Sequence, residues 1–66
     1  MNLADLRLAQ HQTQLALSEL SGVTVETISH IERGKHPPRL ETMLKIAKAL
    51  GVELADIDEF TMRITI

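Results

Sequence analysis

The chain has 66 residues, no cysteine, a single aromatic residue and a formal net charge of −2. This length allows one domain, and the lack of cysteine excludes a disulfide framework and thiolate metal sites. No stretch is long enough to span a membrane, and the N-terminus has neither a basic run nor an apolar signal core. We therefore expect a cytoplasmic protein with a core that is almost entirely aliphatic.

The charges are unevenly distributed along the chain. Residues 1–40 carry four basic and four acidic side chains and all three histidines, whereas residues 41–66 carry three basic and five acidic ones. A negative net charge by itself argues against a nucleic-acid ligand, because DNA affinity depends largely on phosphate neutralisation. The distribution matters more than the total, and the acidic excess lies entirely in the C-terminal part.

Hydrophobic spacing and capping residues predict five helices. Asn2, Thr13 and Thr24 are good N-cap residues, and glycine can adopt the left-handed conformation that ends a helix. The predicted helices cover about 3–11, the segment from Thr13 to Gly22, the segment from Thr24 to Gly34, the segment from Leu40 to Gly51, and about 54–59.

The apolar positions of these helices predict the core. Helix 4 is the clearest amphipathic segment, with Lys45 and Lys48 outside its apolar stripe. The stripe of helix 4 comprises Leu40, Met43, Leu44, Ala47 and Leu50. The inward residues of helices 2 and 3 and of the turn between them are Leu17, Leu20, Val23, Ile28 and Ile31.

The last seven residues change from helical spacing to alternation. Apolar and polar residues follow one another with a period of two, which is typical of a strand. The apolar members are Phe60, Met62, Ile64 and Ile66. A lone strand needs a partner for its backbone groups, and pairing of two copies across a twofold axis would supply one. We therefore divide the chain into residues 1–59 and a dimerisation arm, 60–66, with a disordered or fibrous-packing tail as the alternative.

Residues 13–35 have the pattern of a helix-turn-helix. Two short helices flank Gly22, and the inward aliphatic residues would hold the second helix at a fixed angle with its polar face outward. Such a helix can enter the major groove of DNA.

The sequence resembles the Cro/cI-type, or XRE-like, helix-turn-helix family over about residues 3–58. The matching residues are Gln14, Leu17, Gly22-Val23-Thr24, Ile28-Ser29, Ile31-Glu32, Gly34-Lys35 and the segment from Leu40 to Val52. The resemblance implies an all-α, five-helix lambda-repressor-like DNA-binding domain, here with a short C-terminal β-strand arm. It also implies an operator on double-stranded DNA, commonly bound by a homodimer.

The same resemblance implies roles for individual residues. Base contacts are implied for Thr24, Val25, Glu26, Thr27 and His30, and phosphate contacts for Gln14, Arg33, Lys35 and Arg39. Arg7 and Glu32 match a partly buried ion pair between helices 1 and 3, although an exposed pair of little energetic value is the alternative. The sequence departs from the family at His11 and Gln12, which replace the common glycine and apolar residue before helix 2.

The chemistry of the reading face adds expectations of its own. Glu26 can accept a hydrogen bond from a cytosine amino group, and Val25 can contact a thymine methyl group. Both could instead be ordinary exposed residues. The three histidines lack the spacing of metal ligands, so we expect no metal and no cofactor.

Two functions remain open from the sequence. The first is a homodimeric repressor that binds an inverted repeat. The alternative is an antitoxin or anti-regulator whose main role is binding a protein partner, which exposed leucines such as Leu8 and Leu15 would favour. The sequence contains no glycine-rich phosphate loop, nucleophile elbow or catalytic carboxylate pair, so we do not expect an enzyme.

Overall fold

The computed structural model describes residues 1–35 and 38–60, and these residues form a helical domain. Four α-helices are followed by one turn of 3-10 helix at Leu54–Asp56, and residues 58–60 are also helical. The α-helices are α1 (Leu3–Ala9), α2 (Gln14–Ser21), α3 (Val25–Glu32) and α4 (Leu40–Leu50). The all-α fold predicted from the sequence is therefore confirmed.

Side-chain caps begin the first three helices, as the sequence predicts. The side chain of Asn2 accepts a hydrogen bond from the backbone N–H of Asp5 at 2.8 Å, and Thr13 accepts one from Ala16 at 3.0 Å. Thr24 caps α3 in the same way. Arg39, which precedes α4, makes no side-chain cap, so the position of α4 depends on packing rather than on its N-terminus.

The core of the described residues is aliphatic apart from one ring. It consists of Leu3, Leu17, Val23, Ile28, Ile31, Met43, Ile46, Ala47, Leu50, Ile57 and Phe60. All four α-helices contribute to this core, so each of them is fixed by the side that it turns inward. At about 25 cal/mol per Å² of buried apolar area, this cluster supplies the main favourable contribution to folding.

Three leucines predicted to face inward are exposed instead. Leu20 is 63% exposed, Leu40 57% and Leu44 52%. Ile46, which the predicted stripe of α4 omitted, is completely buried. Positions 43, 46, 47 and 50 lie within one narrow arc of a helix, whereas positions 40 and 44 lie beside that arc. The buried face of α4 is therefore rotated from the predicted one.

Helix α1 ends earlier than predicted because the chain turns at His11. This residue has φ of 57°, and it is the only non-glycine residue with positive φ among those described. The N–H of Gln12 donates to the carbonyl of Arg7 at 3.0 Å, and that of His11 to Leu8 at 2.9 Å. These two bonds form a Schellman motif, in which glycine is the usual residue at the left-handed position.

His11→Gly is therefore expected to stabilise the domain. A left-handed conformation costs a residue with a Cβ atom about 1 kcal/mol, and part of the gain is offset by the entropy of glycine in the unfolded chain. We expect a rise of roughly 0.5 kcal/mol in the free energy of unfolding, which thermal denaturation can detect. His11→Ala is the matched control, since it keeps the Cβ atom. A gain for alanine equal to that for glycine would contradict the backbone explanation.

Gln12 is a second source of instability in the same loop. Its Oε1 atom is buried and has no hydrogen-bond partner within residues 1–35 and 38–60. An unsatisfied buried polar group costs about 1–3 kcal/mol. We expect Gln12→Leu to raise the midpoint of urea denaturation by relieving this cost. Gln10→Leu serves as the contrasting variant, because the Gln10 amide donates to the carbonyl of Leu50 at 2.8 Å. It should lower the midpoint, and two shifts of the same sign would contradict this account.

The C-terminal segment belongs to the core as far as residue 60. The side chains of Ile57 and Phe60 are both completely buried. The N–H of Leu3 donates to Glu59 Oε1 at 2.8 Å, and the N–H of Asp58 donates to the carbonyl of Met1 at 2.9 Å. The assignment of Phe60 to a dimerisation strand is therefore wrong, because its ring is covered by the chain itself and its backbone is helical. Met62, Ile64 and Ile66, the other members of the predicted arm, lie outside the described residues.

Candidate nucleic-acid interface

Helices α2 and α3 are joined by a tight turn whose centre is a left-handed glycine. Gly22 has φ of 77° and is the C-cap of α2. Val23 follows it into the core, and its N–H donates to the hydroxyl of Ser21 at 3.1 Å. Ile28 and Ile31 then bury the inner side of α3. This arrangement holds α3 against the domain by one side and turns the other side, which carries the exposed Glu26, toward the surface.

The residues to which the resemblance assigns base contacts surround the outer side of α3. Thr24 and Glu26 are exposed, whereas Val25, Thr27 and His30 are half-buried. Residues four apart on a helix share a face, so Glu26 and His30 lie together, on the side away from Ile28. The structure therefore places Glu26 and His30 on one side of the helix, with Glu26 the more accessible of the two, and Val25 and Thr27 at the edges of that side.

A largely buried ion pair joins α1 to the end of α3. Arg7 Nε donates to Glu32 Oε2 at 2.8 Å, and Arg7 Nη2 donates to Glu32 Oε1 at 3.2 Å. The side chains are only 11% and 9% exposed, respectively. The remaining guanidinium nitrogen, Nη1, donates to the backbone carbonyl of Gln12 at 2.8 Å. This two-point contact fixes both the distance and the rotation of α3 relative to α1.

Gln14 joins the same cluster from the first turn of α2. Its Nε2 atom donates to Glu32 Oε1 at 3.0 Å. One of the two amide hydrogens is therefore engaged inside the protein, and a phosphate contact by this side chain would have to use the other. Spacing alone did not reveal this bond, because it depends on how α2 crosses α3. We call Arg7, Gln14 and Glu32 the clamp.

Three basic side chains follow α3 in the chain. Arg33, Lys35 and Arg39 are all exposed, on either side of the two positions that the structure does not describe. Gly34, with φ of 70°, turns the chain after α3, and the N–H of Lys35 donates to the carbonyl of His30 at 2.9 Å. Positive charge therefore borders the C-terminal end of α3, whereas its first turn carries the acidic residue Glu26.

The sequence also matches known proteins over most of its length. A family model described as helix-turn-helix matches residues 3–57. The chain belongs to the XRE-like helix-turn-helix family. It is 43% identical over 51 residues to an uncharacterized HTH-type transcriptional regulator, MJ0272, of Methanocaldococcus jannaschii, covering 77% of each chain. It is 38% identical over 53 residues to another, YgzD of Bacillus subtilis, covering 80% of each.

The same region of this chain is also similar to part of a longer protein. The chain is 37% identical over 54 residues to the HTH-type transcriptional regulator PuuR of Escherichia coli, a match that covers 82% of this chain and 29% of that protein. No solved structure matches this chain significantly. At the level of the family, the chain is assigned to DNA binding and transcription regulation. None of the described helices is both long and apolar enough to cross a bilayer.

Proposed function

We propose that this chain is a sequence-specific transcriptional repressor that binds an inverted-repeat operator as a homodimer. The observation that supports this best is the combination of an accessible outer side of α3 with the clamp behind it. A recognition helix must keep a fixed orientation to read bases, and the largely buried Arg7–Glu32 pair supplies that orientation without using the outer side.

Within this proposal, base reading comes from Glu26, His30 and the residues at the edges of α3. Glu26 accepts from a cytosine amino group, and Val25 contacts a thymine methyl group. His30 donates to or accepts from a base edge. Phosphate contacts fall to the exposed basic side chains after α3 and to the free amide hydrogen of Gln14. Because Glu26 repels phosphates, it also disfavours sequences that offer it no donor.

The test is selection of bound duplexes from a random library at near-physiological salt. We expect an inverted repeat with half-sites about 34 Å apart, the separation of successive major grooves on one face of DNA. Glu26→Ala should remove the preference at one base pair in each half-site. Glu19→Ala removes the same charge from an exposed position on α2 and should leave every preference unchanged. If the selection enriches no sequence, the proposal is overturned.

The dimer is tested separately, by shortening the chain after Phe60. Residues 61–66 retain the alternating pattern that predicts a pairing strand, with Met62, Ile64 and Ile66 on one face. Because Phe60 is part of the core, the shortened chain must keep it. We expect light scattering to show a fall from dimer to monomer mass, together with weaker operator binding. An unchanged mass would exclude the arm as the dimer contact.

A protein-interaction role is the second candidate, and exposed leucines favour it. Leu8, Leu15 and Leu20 are each about 60% exposed on the outer sides of α1 and α2. Salt dependence separates the two roles, because DNA affinity falls steeply with salt whereas apolar association does not. A second polypeptide that remains bound through a high-salt wash would favour this candidate.

A further inference from the structure

The clamp contains one side chain that the proposed function assigns to DNA. Gln14 Nε2 donates to Glu32 Oε1 at 3.0 Å, and the Glu32 carboxylate also accepts two bonds from Arg7. A carboxylate in an ion pair has only acceptor atoms, so the nitrogen of the Gln14 amide, and not its oxygen, must face Glu32. The chemistry of its partner therefore fixes which way the amide group is turned.

This orientation determines what Gln14 has left for a ligand. A primary amide nitrogen carries two hydrogens, and the second one remains after the bond to Glu32. Gln14 is the first residue of α2, and the N-terminal end of a helix favours negative charge. The side chain of Glu32 is only 9% exposed and is neutralised by Arg7. Any effect of Glu32 on a bound anion is therefore expected to act through Gln14.

A glutamine that is held in place before binding makes a stronger contact than a mobile one. Ordering a long side chain on binding costs conformational entropy, which lowers affinity. The bond to Glu32 orders Gln14 when the protein folds, so this cost is not incurred again when DNA binds.

The resemblance to the family assigns Gln14 to phosphate and Glu32 only to an ion pair, and the bond between them joins these two roles. We propose that Glu32 is a positioning residue, which holds the Gln14 amide so that its second hydrogen bonds a backbone phosphate. This inference rests on the proposed DNA binding.

The contact is located first, with the duplex recovered by selection from the random library. Gln14→Ala removes the amide and should lower affinity for this duplex about tenfold, because a hydrogen bond to a charged group is lost. Methylphosphonate substitution replaces one charged phosphate oxygen by a methyl group. At one position in each half-site, the substituted duplex should bind the unchanged protein and Gln14→Ala with equal affinity. That position is the phosphate contacted by Gln14.

The role of Glu32 is measured by repeating Gln14→Ala without the ion pair. In Arg7→Met/Glu32→Leu both charged partners are replaced by apolar side chains, a change that proteins with buried ion pairs often tolerate. Gln14 then has no carboxylate to hold it, so its removal should lower affinity by only about twofold. The difference between the two factors, about fivefold, is the contribution of positioning.

Lys35→Ala is the matched control for this comparison. Lys35 is exposed and is also assigned to phosphate, but none of the clamp bonds involves it. Its removal should lower affinity by the same factor with and without the ion pair. A positioning role predicts that only Gln14 loses its contribution, whereas a general loosening of the domain would reduce the contributions of both residues.

A second measurement leaves the ion pair intact and therefore tests the inference even where the double variant does not fold. NMR relaxation of the Gln14 side-chain amide in the unchanged protein reports the motion of this group in the absence of DNA. We expect an order parameter near that of a rigid backbone, about 0.85. A value below about 0.6 would describe a mobile amide and would overturn the inference.

Three binding results overturn the inference while leaving the proposed function intact. In the first, Gln14→Ala lowers affinity by the same factor with and without the ion pair. In the second, Gln14→Ala leaves the affinity of the otherwise unchanged protein as it is. In the third, the effect of Lys35→Ala shrinks in parallel with that of Gln14→Ala. If the selection recovers no duplex, the proposed function fails, and the inference fails with it.

Discussion

Arg7→Met is expected to destabilise the domain by about 3–5 kcal/mol, because it leaves the carboxylate of Glu32 buried without its charged partner. The change also leaves the carbonyl of Gln12 without its donor. A domain of this size has a total stability of roughly 3–10 kcal/mol at the usual value per residue. The loss is therefore a large fraction of the whole stability, and far-ultraviolet circular dichroism during urea titration should show a much lower midpoint of unfolding.

The matched control is Lys45→Met. Lys45 and Glu41 form an ion pair at 3.5 Å on the surface of α4, with side chains 50% and 80% exposed. Exposed pairs contribute about 0–1 kcal/mol, so this variant should unfold almost like the unchanged protein. Adding Glu32→Leu to Arg7→Met should recover part of the loss, because the stranded charge is removed. Equal effects of Arg7→Met and Lys45→Met would show that the clamp has no special role.

Phe60→Ala has the second large expected effect, a loss of about 3–5 kcal/mol. Its ring is completely buried and is the one aromatic side chain of the chain, so its removal leaves a cavity that the aliphatic neighbours cannot fill. Phe60→Leu, which fills most of that volume, should cost much less. Thermal unfolding of the three proteins at equal concentration gives the comparison.

The same prediction distinguishes the observed position of Phe60 from the one expected from the alternating pattern. If Phe60 stabilises the domain from within, a chain ending at Glu59 should be unstable, whereas a chain ending at Phe60 should unfold cooperatively. If Phe60 instead contacts a second copy, Phe60→Ala would lower the association constant and leave the stability of the monomer unchanged. That result would contradict the packing described above.

The sequence by itself determined the features that depend on local chemistry. Capping by Asn2, Thr13 and Thr24 follows from the short polar side chains that precede apolar segments. The tight turn follows from Gly22, which alone among nearby residues adopts positive φ without strain. The pairing of Arg7 with Glu32 was also predicted from the sequence, but only through the resemblance to the family.

Only the tertiary structure decided which of several equivalent apolar residues are buried. Leu44 and Ile46 are both large and aliphatic, and their burial depends on the rotation of α4 against its neighbours. The two-residue period that begins at Phe60 indicated a strand, but Phe60 is buried in the core at a helical turn, where its N–H donates to the carbonyl of Ile57 at 3.0 Å. Gln14 was expected to contact phosphate, and its bond to Glu32 exists because the fold brings the first residue of α2 next to the last residue of α3. Local patterns fix where helices begin and end, whereas faces and partners are set by contacts between residues distant in the chain.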